Sequence, residues 1–219
     1  MNPRPALLLL AAVLCVRADG PERVPLAIVL PKPVFVGTPR LFTSPNLEAV
    51  TGKLREPHPV PKGCVNLAAQ RPVASSDPAP FLGRLAMVTD GDKEGTDGSY
   101  VELAPGKQYV QIDLKDACQI YAIVLWHFHS QARVYRDVVI QTAADPDFIM
   151  DVQTVYNNDH DNSSGLGVGK DKEYIETYEG RIVPVNGVKA RYVRLYSNGN
   201  TSNEMNHYIE AEVYGKPAK

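Results

Sequence analysis

Tryptophan occurs once, cysteine three times, and the charges nearly cancel, leaving a formal net charge of −2. That balance gives a polyanion nothing to hold, so nucleic acid is not an expected partner. No cysteines stand at CxxC spacing and none is spaced with histidine as in a zinc finger, so no structural zinc site is expected. The apolar run Leu7 to Val16 is too short for a bilayer, which needs about 20 residues, and no other stretch is a better candidate. Helical periodicity is lacking as well. A P-loop, a nucleophile elbow and a Ser/His/Asp context are also missing, which argues against the common enzyme classes.

What is present begins with an export signal. Arg4 supplies a positive start, Leu7 to Val16 an apolar centre, and Ala18 a small residue for cleavage. Residues 1–18 are therefore expected to be a signal peptide, placing the chain outside the cell, in a periplasm or at the cell surface. Cys15 leaves with that peptide. Cys64 and Cys118 remain, an even pair that can form a disulfide in an oxidising compartment. The alternative is two separate buried thiols.

Proline is concentrated early: twelve of the 18 prolines lie between positions 21 and 80. Proline fixes φ and removes a backbone donor, so residues 19–62 are expected to be an irregular arm, either an extended wrap or a linker. Its apolar piece Leu26 to Leu30 suits an edge strand or a contact with the domain.

Residues 63–216 read as β structure. In "YVQIDL", Val110, Ile112 and Leu114 share one face, opposite Tyr109, Gln111 and Asp113. "RYVRLYS" sets Val193 and Leu195 inward. "YIEAEVYG" sets Ile209, Ala211 and Val213 inward, against Glu210, Glu212 and Tyr214. The unbroken apolar "IYAIVLW" suits a central strand covered on both faces. "YRDVVIQTA" and "RIVPV" add two strands. Short strands separated by Gly, Asn and Asp loops indicate an all-β sandwich or barrel. Residues 157–172, "NNDHDNSSGLGVGKDK", read as a long polar surface loop. Asp159, Asp161 and Ser163 alternate there as in an EF-hand, but the glycine comes one residue late and no bidentate Glu follows, so a second calcium site is not favoured.

The order of six strings carries a resemblance: "NLAAQRPVASSD", "VTDGD", "YVQIDL", "IYAIVLW", "KARYVRLYS" and "YIEAEVYG". Over roughly residues 64–215 this succession resembles the discoidin or coagulation-factor C-type domain of the galactose-binding-like superfamily. It is similar in particular to bacterial family 32 carbohydrate-binding modules. The resemblance implies a jelly-roll β-sandwich with ligand loops at one end and a mostly non-catalytic role in binding glycans, lipid headgroups or proteins. It also implies a structural calcium between the Asp-Gly turn and the last strand. Asp90 and Glu210 would supply carboxylates, Met87, Asp92 and Ile209 carbonyls, and Ser99 or Thr96 a hydroxyl. Such mixed oxygen ligands suit calcium.

The expected ligand site lies on two loops. His127 and His129 share a strand face at the end of "IVLWHFH", and Arg133 and Tyr135 follow. Asn203 and His207 precede the last strand. Arg, Asn and His provide planar hydrogen-bonding groups for vicinal hydroxyls, and Tyr135, Tyr208 or Phe128 an aromatic face, so a glycan or polysaccharide is the expected partner. The single Trp126 is expected in the core. Two other readings remain open: an adhesion or scaffold module for protein or envelope lipid, which would expose apolar loop tips, and a metal-dependent enzyme built on His127, His129, His160 and His207.

Overall fold

A computed structural model describes residues 21–35 and 42–218, so the expected signal peptide, 1–18, lies outside the described residues. The described residues form an antiparallel β-sandwich. Its strands are β1 (Arg23–Pro25), β2 (Pro59–Pro61), β3 (Val65–Asn66), β4 (Val73–Ser75), β5 (Val101–Leu103), β6 (Gln108–His127), β7 (Val139–Ala143), β8 (Gln153–Asn157), β9 (Arg181–Ser197) and β10 (Asn206–Pro217).

Two long strands tie the layers together. The first half of β6 pairs with β4 and with the end of β9, which continues through β7 to β8. The second half of β6 pairs with the start of β9 and with β10, and β10 also holds β3 and β5. The crease between the halves falls at the register shift from Asp113 to Cys118. Lys115 there takes a φ of 75°, and its amide donates to Asp113 Oδ1 at 2.8 Å. Arg191 grips the same carboxylate from β9 at 2.8 and 2.9 Å, which holds the Asp113 carboxyl below its usual range.

The alternating faces lie as expected along β6 and β9. Val110, Ile112, Leu114, Ile123, Leu125, Val193 and Leu195 fill the core between the layers. The "IYAIVLW" strand is covered on both faces: Ala122, Val124 and Trp126 belong to a second cluster on the outer side. In β10 the expected phase breaks. A register shift between Tyr208 and Glu210 turns Tyr208 into the main core and Ile209 into the outer cluster, while Ala211 and Val213 stay inward.

The outer cluster exists because the arm is a wrap. β1 pairs with β2, and Leu26, Ile28 and Val60 pack over Ala122, Val124 and Trp126. Lys93 fastens this cover: its Nζ meets Glu212 at 2.8 Å and the Val29 carbonyl at 3.1 Å, and sits 5.3 Å from the Trp126 ring centre. The outward residues Glu212 and Tyr214 are consequently buried, and Glu210 is buried against the Gly91 turn.

The expected Cys64–Cys118 disulfide is not made, and both thiols are free. β10 lies between β3, which follows Cys64, and β6, which carries Cys118. Two strand spacings, about 9.5 Å, exceed the roughly 7 Å reach of a disulfide. The side chains also part, Cys118 entering the main core and Cys64 the outer cluster.

Candidate functional site

The connections β6–β7, β8–β9 and β9–β10 all leave the sandwich at one end. Two of them are knitted together: Tyr135 bridges Asn200, and Arg136 exchanges backbone hydrogen bonds with Gly199 and Asn198.

Beneath these loops lies a buried aromatic and histidine network. The His127 ring stacks on Tyr135 with centres 4.2 Å apart, and its Nδ1 lies 2.6 Å from Glu176 Oε1. The Tyr135 hydroxyl donates to His207 Nδ1 at 2.9 Å, and His207 Nε2–H donates to Glu102 at 3.0 Å. Those partners fix the neutral imidazole tautomer. Glu102 would favour a proton on the ring, but burial and then the Arg133 guanidinium act against it and push the His207 pKa down to about 3. Arg133 lies 4.5 Å from the Phe128 ring centre and is 8% exposed.

Of the six expected ligand contacts, His127, Arg133, Tyr135 and His207 are therefore brought together, but as a buried support for the loops. His129 stands apart. Its Nε2 lies 3.0 Å from the Lys93 carbonyl, and a Cβ on Gly95 would come within 2.8 Å of its ring. Asn203 is exposed and braces its own loop, accepting from Asn200 Nδ2 and the Met205 amide. The histidines form no metal-binding group among the described residues.

Open space lies above this network, and the arm divides it. Leu47 bridges Glu173, and Glu48 pairs with Arg181 at 2.7 Å. On one side is a polar cleft of about 490 Å³ between Phe42–Leu47 and the loops bearing Arg136, Asp137, Asn158, His160, Asn198 and Thr201. On the other is a cleft of about 520 Å³ between Glu48–Arg55 and Tyr174–Ile182. Neither cleft is marked by any local sequence pattern. The arm read as irregular, and nothing local marks Glu176 or Tyr174.

Asp137, Asp159 and Asp161 bring carboxylate oxygens within 4.8 Å of one another beside the polar cleft, a group able to bind a metal ion. The 157–172 segment is more ordered than a surface loop. Buried Asp159 accepts from the Ser163 and Ser164 amides, and Ser163 Oγ donates to Asp137 at 2.7 Å. Ser163 thus braces the carboxylates, and the third of them, Asp137, comes from a loop that the EF-hand-like alternation did not mark.

Of the expected calcium residues, Glu210 on β10 reaches the Asp90–Gly91 turn. Glu210 Oε2 accepts from the Gly91 amide at 3.1 Å, while its Oε1 is buried without a partner. Burial pushes the Glu210 pKa up to about 9, and the Glu212 and Asp90 charges add to the effect. A buried carboxylate oxygen with no donor is what a hard cation would complete, and Glu210 is the one residue of the expected set that shows this.

This architecture is an antiparallel β-sandwich that other solved structures share. Among solved structures, it is similar to a family 89 glycoside hydrolase from Clostridium perfringens, at 16% identity and a TM-score of 0.52, over 70% of this chain and 15% of that one. A variant of chitosan-binding module 1 from the chitosanase/glucanase of Paenibacillus sp. IK-5 matches at 19% identity and a TM-score of 0.50, over 68% of this chain and 98% of that one. The CBM32 of AlyQ, in complex with 4,5-unsaturated mannuronic acid, matches at 23% identity and a TM-score of 0.48, over 65% and 92%. At these identities the two matches with TM-scores of 0.50 and 0.52 show the fold alone. No protein-family model matches the sequence, and no curated protein sequence matches it. No helix among the described residues is long and apolar enough to cross a membrane.

Proposed function

We propose that this protein is an exported, non-catalytic carbohydrate-binding module whose ligand lies in the polar cleft at the loop end. The observation that carries this reading is the cleft's lining. Arg136, Asn198, Thr201 and His160 offer donors and acceptors for vicinal hydroxyls, and the Asn158 Nδ2 is a buried donor with no partner. The buried residues His127, Tyr135 and His207 hold the two loops in place and do not touch the sugar. A structural calcium on Asp90 and Glu210, completed by carbonyls of Met87, Asp92 and Ile209 and by Ser99, would lock the Asp-Gly turn to β10. Signal-peptide export agrees with an extracellular polysaccharide as target.

A glycan array tests the reading. Binding to at least one glycan class is expected, weakened about 10-fold by Arg136→Ala, an exposed position whose loss leaves the fold intact. Silence across neutral, amino and uronic-acid glycans overturns it. One observation favours a second reading, a module for protein or lipid. The β7–β8 hairpin tip exposes Ile149 and Met150, 79% and 57% accessible. Retention on liposomes or an envelope fraction, abolished by Ile149→Ser, would support that reading.

A further inference from the structure

The second cleft is chemically distinct from the polar one. Its charges balance in number, Lys53, Arg55 and Arg181 against Glu48, Glu176 and Glu179: Glu48 meets Arg181 at 2.7 Å, Arg55 donates to the Glu179 and Gly180 carbonyls at 2.9 and 2.7 Å, and the Glu179 carboxylate accepts from the Arg55 amide. Neither an anionic nor a cationic ligand is therefore selected. What remains unsatisfied is short-range polarity. Tyr174 is 5% exposed and Glu176 3% exposed; the Tyr174 hydroxyl faces Glu176, and neither that hydroxyl nor Glu176 Oε2 makes a hydrogen bond of good geometry. Arg181 Nε, on a guanidinium 4.7 Å from the Tyr174 ring centre, is also buried without an acceptor.

Buried polar groups are nearly always hydrogen-bonded, so three orphans around one cleft mark a place that something polar completes. A carboxylate oxygen accepts, a guanidinium Nε donates, and a phenol does either. Adjacent hydroxyls of a neutral sugar satisfy that set, one donating to Glu176 and its neighbour accepting from Arg181. Ile175, Ile182 and Val50 provide apolar wall.

We propose that this cleft is a second sugar subsite, holding one neutral, hydroxyl-rich ring against Tyr174, Glu176 and Arg181 beneath the arm. The proposal rests on the carbohydrate reading above and adds to it that the arm is part of the binding surface. The two clefts flank the Leu47–Glu173 bridge, so a chain of linked sugars would reach both by crossing the arm.

Ligand-observed NMR on the full chain tests this, with galactose, N-acetylglucosamine, lactose and chitobiose as probes. Tyr174→Phe deletes only the hydroxyl and leaves the fold undisturbed. Val50→Trp fills the cleft mouth from a position 74% exposed. Glu204→Trp fills the polar cleft from an exposed position. A probe that binds Glu204→Trp but not Val50→Trp, and binds Tyr174→Phe about 3- to 10-fold more weakly, supports the subsite. Binding lost only in Glu204→Trp overturns the subsite and leaves the carbohydrate reading standing. Absence of binding to every probe, with a positive glycan array, overturns the subsite alone. A silent array together with silent probes overturns both.

Discussion

The Tyr135 hydroxyl lies 2.9 Å from His207 Nδ1, and this bond joins the loop after β6 to the first turn of β10. Tyr135→Phe keeps the stack on His127 but leaves a buried imidazole acceptor without a donor. A destabilisation of about 1–2 kcal/mol is expected in urea unfolding. An unchanged midpoint would show that the ring nitrogen finds another partner.

His207 also sets a pH dependence. Its pKa falls from an ordinary 6.5 to about 3, so the folded state prefers the neutral ring. The associated stability is fully present above about pH 6.5 and is lost as pH falls toward 3. Unfolding midpoints measured from pH 7.5 to 4 should decline by up to a few kcal/mol equivalent. The decline should be shallower in His207→Gln, which stays neutral throughout. Parallel curves for the two proteins would contradict the assignment.

The Glu210 carboxylate gives a metal-dependent prediction. Calcium at about 100-fold over its dissociation constant would add about 2.7 kcal/mol to stability, raising the melting temperature by several degrees. EGTA should reverse the gain, and Glu210→Gln should abolish it. A melt indifferent to calcium and EGTA removes the ion from the turn.

The free thiols are directly checkable. Without reductant, Cys64 and Cys118 should both react with a thiol reagent once denaturant exposes them, and Cys64→Ser should leave Cys118 reactive. A loss of both signals that reductant restores would establish the bridge that β10 keeps apart.

The fold was legible where period two and strand order coincide, as along Val110, Ile112 and Leu114 or Val193 and Leu195. It was not legible where a distant segment changes what a face meets. Glu210, Glu212 and Tyr214 read as solvent-facing because the segments that bury them, the Gly91 turn and the arm, are more than 100 residues away in sequence. The same limit applies to the site. His127, Arg133, Tyr135 and His207 lie near one another because β6 ends where β10 begins. Their burial depends on Glu176 and Glu102, acids that no local pattern links to a histidine. The disulfide expectation failed for a related reason: two cysteines can be counted from sequence, but the strand running between them cannot.

The arm's role as a cover gives the most global test. Val60 is 2% exposed and packs with Leu26 and Ile28 over Trp126, whose indole donates to the Tyr178 carbonyl at 3.0 Å. Each such side chain contributes about 1.5–3 kcal/mol through burial, so a chain beginning at Lys62 should lose several kcal/mol of stability. It would also uncover the partners of Lys93, whose ammonium would lose the Val29 carbonyl. Because Trp126 is the single tryptophan, its fluorescence reports this face without interference. Emission should shift to the red in the truncated chain, and a dye for exposed apolar surface should bind it. An unshifted spectrum with an unchanged melting temperature would make the arm a linker that merely rests on the sandwich.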